Sequence, residues 1–399
     1  MITYEQYLRD SAVDKEVLDV YLDPSENTWA QYDPELGYTL GNYLPRDGLD
    51  GCSTISTAQK NGARTPHHYV DRPCRINTYG NSFTQCHQVS DGETWQEYLA
   101  AHLGEPIRNF GMGGYGTYQA YRRMLRTEQS ELGADNVVLY IWGDDHFRSL
   151  MRCRYATIYP RWKNRGGRTF HNNFWCNIEM DLDSGQFVER DSMLPTPESL
   201  YKMTDSDFMY DALKDDLLLQ LYVAEQVEPS SLDIEQLNAL AEILGEEALS
   251  QDSDDACYES SRRIRYAYGF AATKEIIKKA FEFCGQHDKK LMVFLFCSSA
   301  TLQLLGGEPR YEQPIVDYLD ENKLPYFDMN LVHVEDYKAF NLSVPDYMKR
   351  YFIGHCSPAG NHFFAFSVKD TFVDWLDPKP ITYLDDESSV VDFEGYLPD

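Results

Sequence analysis

The stretch NVVLYIW (136–142) constrains the fold more than any other part of the chain. It is apolar and rich in β-branched side chains, with no polar face, so it reads as a strand covered on both sides. Strands of that kind belong to parallel sheets whose crossovers are helices. The neighbouring sequence supplies the rhythm: RINTYG (75–80) is strand-like, ETWQEYLAAHL (93–103) has helical spacing, PIRNFGM (106–112) is a short strand, and TYQAYRRMLRTEQSEL (117–132) is a helix. The rhythm resumes with the helix AATKEIIKKAFEFCGQ (271–286), the strand KLMVFLFC (290–297), the helix EQPIVDYLDEN, the short strand PYFDMN (325–330) and a last helix from Pro358 to Trp375. The predicted fold is therefore a three-layer α/β/α, flavodoxin-like arrangement around a five-stranded parallel sheet.

Two segments stand outside this rhythm. Residues 1–74 mix short helical patterns with turn-rich stretches such as LPRDGLDGCS, and read as an N-terminal extension packed on the main domain. Residues 151–270 interrupt the alternation after the third strand with a hairpin-like IEMDLDSGQFVE and acidic helical segments, and read as an insertion that walls or lids a pocket. The core domain is thus discontinuous, 75–150 with 271–376, followed by an acidic tail at 377–399.

A formal net charge of −28 argues against nucleic acid, whose phosphates need Lys and Arg. No long apolar run indicates a membrane span, and no apolar N-terminal leader is visible. The nine cysteines are scattered without a CxxC pair, which fits reduced thiols and a cytoplasmic location. Asp144, Asp145 and His146 are adjacent in sequence and lack a second cluster at ligand spacing, so neither a metal nor another cofactor is expected.

In a doubly wound sheet, ligands bind beyond the carboxyl ends of the strands. Those positions hold YGNSFTQC (79–86), NFGMGGYGT (109–117), GDDHFR (143–148) and, before the last helix, GHCSPAGNH (354–362). A serine, a glycine-rich turn, a polar pair and a histidine on one sheet edge are what acyl transfer requires. Each also has a structural reading: Ser82 as a helix cap, the glycines as a tight turn, His355 as a packing residue. Cys86 and Cys356 read as small packing residues.

These blocks resemble the SGNH hydrolases, the GDSL-type esterases and lipases, as a divergent bacterial-type member. The resemblance implies Ser82 as nucleophile, Gly114 as an oxyanion N–H donor and His355 as base. It also implies three departures: Asn81 where the family has aspartate, Asp144 where it has an amide donating to the oxyanion, and Phe352 where the acid of the triad stands. The acid orienting His355 is then to be sought among Asp145, Asp328 and Asp346. An exchange of acid and amide between positions 81 and 144 would let the Asn81 amide serve the oxyanion. The resemblance implies a serine hydrolase cleaving an acyl ester, such as an O-acylated carbohydrate or a small polar ester. Its rivals are a non-catalytic protein of the same fold that binds in a degenerate site, and an acyltransferase using the same serine. Arg161, Trp162 and Arg168 of the insertion are candidates to touch the substrate.

Overall fold

The alternation of strand and helix closes into one all-parallel sheet in the computed structural model, which describes residues 1–162 and 166–383. Strands β1 (Ile76–Tyr79), β2 (Arg108–Asn109), β3 (Asn136–Ile141), β4 (Lys290–Leu295) and β5 (Tyr326–Asp328) lie in the order β2-β1-β3-β4-β5. Every residue of β3 is buried, because both of its faces are covered. Val138 and Tyr140 pack with Trp95 and Leu99 of helix Trp95–Leu103 and with Phe364 and Val368 of helix Pro358–Trp375. Val137 and Leu139 face the other layer, where Met124 of helix Thr117–Glu128 and Ile276 of helix Asp254–Gln286 meet them. The three-layer α/β architecture follows from this apolar coverage of both sheet faces.

Strand β2 is shorter than its sequence suggests. Only Arg108 and Asn109 pair regularly, although the chain stays beside β1 through Phe110 N–H to Thr78 O at 2.9 Å and Met112 N–H to Gly80 O at 3.0 Å. The glycine turn that follows is thereby anchored at the carboxyl end of β1.

The N-terminal extension packs on the insertion as well as on the core. Tyr4 and Tyr7 hydroxyls donate to Leu213 and Ala156 carbonyls at 2.9 and 2.8 Å, and Tyr115 of the core donates to Tyr38 O. The expected hairpin in the insertion is present as Asn177–Asp181 paired antiparallel with Gln186–Arg190. The boundary expected at 270/271 falls inside a single 33-residue helix, Asp254–Gln286. Gly269 lies where that helix crosses the Asp145–Arg148 turn, and a Cβ there would stand 2.9 Å from the Phe147 ring. This close approach is why a residue with poor helix propensity sits mid-helix. Residues 384–399 of the acidic tail lie outside the described residues.

Candidate active site

Strand β1 ends at Tyr79, and Asn81 begins a single helical turn, Ser82–Gln85. The Asn81 side-chain oxygen accepts the Phe83 N–H at 2.7 Å, and Cys86 ends the turn in the left-handed conformation. The turn leaves Ser82 half-buried, with its hydroxyl 2.8 Å from Nε2 of His355. His355 arrives from just before helix Pro358–Trp375, 273 residues away in sequence. The two residues expected to form a nucleophile–base pair are therefore brought together.

The partner behind His355 is none of the three expected acids. Nδ1 lies 3.0 Å from Oε1 of Gln88, which also accepts the His355 backbone N–H at 2.8 Å. The Gln88 amide nitrogen donates to the Asp47 carbonyl at 2.7 Å. A backbone N–H only donates and a carbonyl only accepts, so these two contacts fix which end of the Gln88 amide is oxygen. Oxygen facing Nδ1 requires the proton on Nδ1, which leaves Nε2 as the acceptor for the Ser82 hydroxyl. An amide thus sets the tautomer a triad acid would set, without its negative charge.

The three acids are engaged elsewhere. Asp328 is paired with Arg310 and caps its own helix by accepting the Asn330 N–H at 3.0 Å. Asp346 is exposed, bonded to Ser343 and Lys349. Asp145 accepts from the Asn81 amide, from Trp142 N–H at 2.9 Å and from Arg148 at 3.3 Å. Phe352 stacks on Phe296, with ring centroids 5.4 Å apart, and serves packing.

The expected pairing of Asn81 with Asp144 is absent, and the carboxylate beside Asn81 is that of Asp145. Asp144 points outward, 55% exposed, against Arg148 at 3.3 Å. Its buried neighbour Asp145 is the carboxylate that Asn81 meets. Successive residues at the start of a turn face different sides, so a one-residue shift separates a surface ion pair from a core contact. Burial pushes the Asp145 carboxyl up to about 7, opposed by Arg148 and by the Asn81 amide. The Asn81 side chain accepts from Phe83 N–H, donates to Asp145, is fully buried and does not line the cavity that holds Ser82, so it is not placed as the oxyanion donor expected from the sequence.

Ser82, Gly114 and His355 share one cavity of about 410 Å³. Gly114 has φ +88°, a conformation that favours glycine, and any Cβ there would strike Arg154 and the Tyr38 hydroxyl. Among the described residues neither Ser82 N–H nor Gly114 N–H has a hydrogen-bond acceptor. Burial, and after it the neighbouring His87, push His355 down to about 3, so the imidazole is neutral across the ordinary pH range. His87 stands edge-on to His355 at 5.0 Å and contacts Asp47 at 2.8 Å. Burial opposes ionisation of Asp47, yet the His87 contact outweighs it and holds that carboxyl below its usual range.

Sequence reasoning missed Gln88, His87, Asp47 and Arg154. Of the insertion candidates, Trp162 lines the cavity, whereas Arg161 is exposed and Arg168 pairs with Glu26 at 2.7 Å. Burial raises the Cys86 thiol to about 12 and Cys356 well above its ordinary value, which fits packing roles. Among the described residues no group of three His, Cys, Asp or Glu side chains converges as a metal ion would require, and no helix is long and apolar enough to cross a membrane.

No family model matches the chain, and no curated protein matches it. A solved crystal structure shares 13% identity with it, covering 75% of this chain and 96% of its own, at a TM-score of 0.34. A likeness of that size carries no argument about the site.

Proposed function

We propose that the protein is a serine hydrolase of SGNH type that cleaves an acyl ester. The observation that carries this reading is the continuous chain Ser82 Oγ–His355 Nε2, His355 Nδ1–Gln88 Oε1. In the first step the Ser82 oxygen bonds to the ester carbonyl carbon while its proton passes to Nε2 of His355. The carbonyl oxygen becomes an oxyanion, and the unengaged N–H groups of Ser82 and Gly114 are the donors for it. Collapse breaks the bond to the alkoxy oxygen, which leaves as alcohol with the proton from His355. Water then repeats the sequence on the acyl-serine and releases the acid, restoring the Ser82 hydroxyl.

Gln88 holds the tautomer but supplies no charge to the imidazolium formed in each step. That favours a second reading, a pocket that binds an ester-like ligand without turning it over. Hydrolysis of a 4-nitrophenyl ester separates the two. Ser82→Ala and His355→Ala should each lower kcat/KM at least about 100-fold, the scale of general-base help. Turnover that survives Ser82→Ala would overturn the hydrolase reading.

A further inference from the structure

Arg154 enters the cavity from the insertion, immediately before helix Tyr155–Trp162. Its Nη1 atom is shielded from water and has no hydrogen-bond partner among the described residues. The Tyr38 hydroxyl beside it donates to Gly113 O at 3.0 Å, and its oxygen faces the guanidinium as a neutral acceptor that supplies no counter-charge. The other cavity guanidinium, Arg148, is answered by Asp144 and Asp145, each at 3.3 Å. The cavity's own carboxylate, Asp47, is taken by His87. Among the described residues, the Arg154 charge in the pocket of a chain with net charge −28 has no carboxylate paired with it. Burial and the repulsion of Arg148 both press on that charge and lower its pKa. A guanidinium in this position is costly to leave unpaired, and an oxyanion presenting two oxygens side by side matches its donors.

We propose that the pocket takes an ester bearing an oxyanion group, a carboxylate, sulfate or phosphate, which Arg154 holds while the ester carbonyl lies at Ser82. This rests on the hydrolase reading for the placement of the carbonyl, though not for the binding of the anion. Arg154 lies against Gly114, so a charge on it fixes the substrate on the same wall as the oxyanion donors. Trp29 and Trp162, which flank His171 with centroids at 4.6 and 5.1 Å, provide the flat apolar surface for the uncharged remainder.

The test compares the mono-4-nitrophenyl ester of glutaric acid with its methyl ester, which has the same acyl chain without the carboxylate. Wild-type protein should favour the charged ester by about tenfold or more in kcat/KM, the scale of one charge-assisted hydrogen bond. Arg154→Gln should bring that ratio close to one, and Arg154→Lys should keep part of it. A wild-type ratio near one overturns the proposal, whether or not the variants fold. So does an equal fall for both esters in Arg154→Gln, since that assigns Arg154 to the shared tetrahedral oxyanion instead. If neither ester turns over, the hydrolase reading falls and calorimetry decides the anion site. Binding of free glutarate, inorganic sulfate or inorganic phosphate by wild type, weakened about tenfold in Arg154→Gln, supports it, and the three anions compared show which oxyanion is preferred. Absence of binding by all three overturns it.

Discussion

Two of the histidines near the carboxyl end of the sheet, His146 and His355, are held in opposite ways. His146 is fully buried, with Nδ1 on the Thr273 hydroxyl at 2.8 Å and Nε2 3.9 Å from Glu312. Glu312 is paired with Arg310, which also holds Asp328 at the end of β5. Burial opposes ionisation of Glu312, but His146 and Arg310 outweigh it and keep its carboxyl below the usual range. His355 opens on a cavity, touches a serine hydroxyl and has a neutral amide behind it. Carboxylates are used where charge ties elements together. The histidine that faces the Ser82 hydroxyl is kept neutral.

The largest effect that would break this contrast is on the closed cluster. Arg310→Met leaves Glu312 and Asp328 without their shared counter-charge, and removing one partner of a buried ion pair costs about 3–5 kcal/mol. Urea unfolding should show that loss, while the protein still folded at low urea keeps its 4-nitrophenyl ester turnover. Equal loss of activity and stability would mean that the two regions are one unit.

On the open side, Gln88→Ala should lower kcat/KM by about 10- to 100-fold, because nothing then holds the proton on Nδ1. Gln88→Glu sharpens the point through pH. A carboxylate beside the ring favours imidazolium and raises the His355 pKa from about 3 toward or above the ordinary value. The base works only when neutral, so wild type should retain kcat/KM down to about pH 4 and Gln88→Glu should lose it below about pH 6. Coincident pH profiles would remove Gln88 from its positioning role.

Much of this arrangement was legible in the sequence, and the exceptions have physical causes. Ser82 and His355 could be found because strand ends and the start of the last helix converge at one sheet edge. Gln88 could not. It lies beyond the Ser82 turn at φ 73°, and its contact with His355 spans 267 residues, so no periodicity or spacing marks it. The sequence suggested Asp144 as the acid beside Asn81, and it misled because only the folded turn at 144–148 decides that Asp145 points inward. Trp29, Asp47 and Arg154 come from the extension and insertion, whose irregular backbone gives no signal of which side chains reach the cavity.

The Asn81–Asp145 contact predicts a smaller, coupled effect. Asn81→Asp places two carboxylates face to face and should destabilise the protein, and adding Asp145→Asn should recover much of the loss. The coupling should reach about 1 kcal/mol or more in urea unfolding, as for residues in one network. Additivity within about half a kcal/mol would dissolve the pair. Asp144→Asn, at an exposed position, should change little. The smallest effect is on pH dependence. The folded state holds a proton on Asp145 up to about pH 7, whereas the unfolded carboxyl releases it near its ordinary value, so this group's stabilising contribution is lost as pH rises through 7. Asp145→Asn should therefore flatten the decline in stability between about pH 4 and 7, and an unchanged slope would show that Asp145 ionises normally.

In the proposed reaction Ser82 is a nucleophile activated by an amide-oriented histidine. The most direct measurement is covalent labelling with a fluorophosphonate, read by intact-protein and peptide mass spectrometry. A single adduct on Ser82 is expected in wild type, none in Ser82→Ala, and slowed labelling in His355→Ala and Gln88→Ala. Wild-type protein that forms no adduct under conditions that label a control esterase would contradict it and leave the cavity as a binding site.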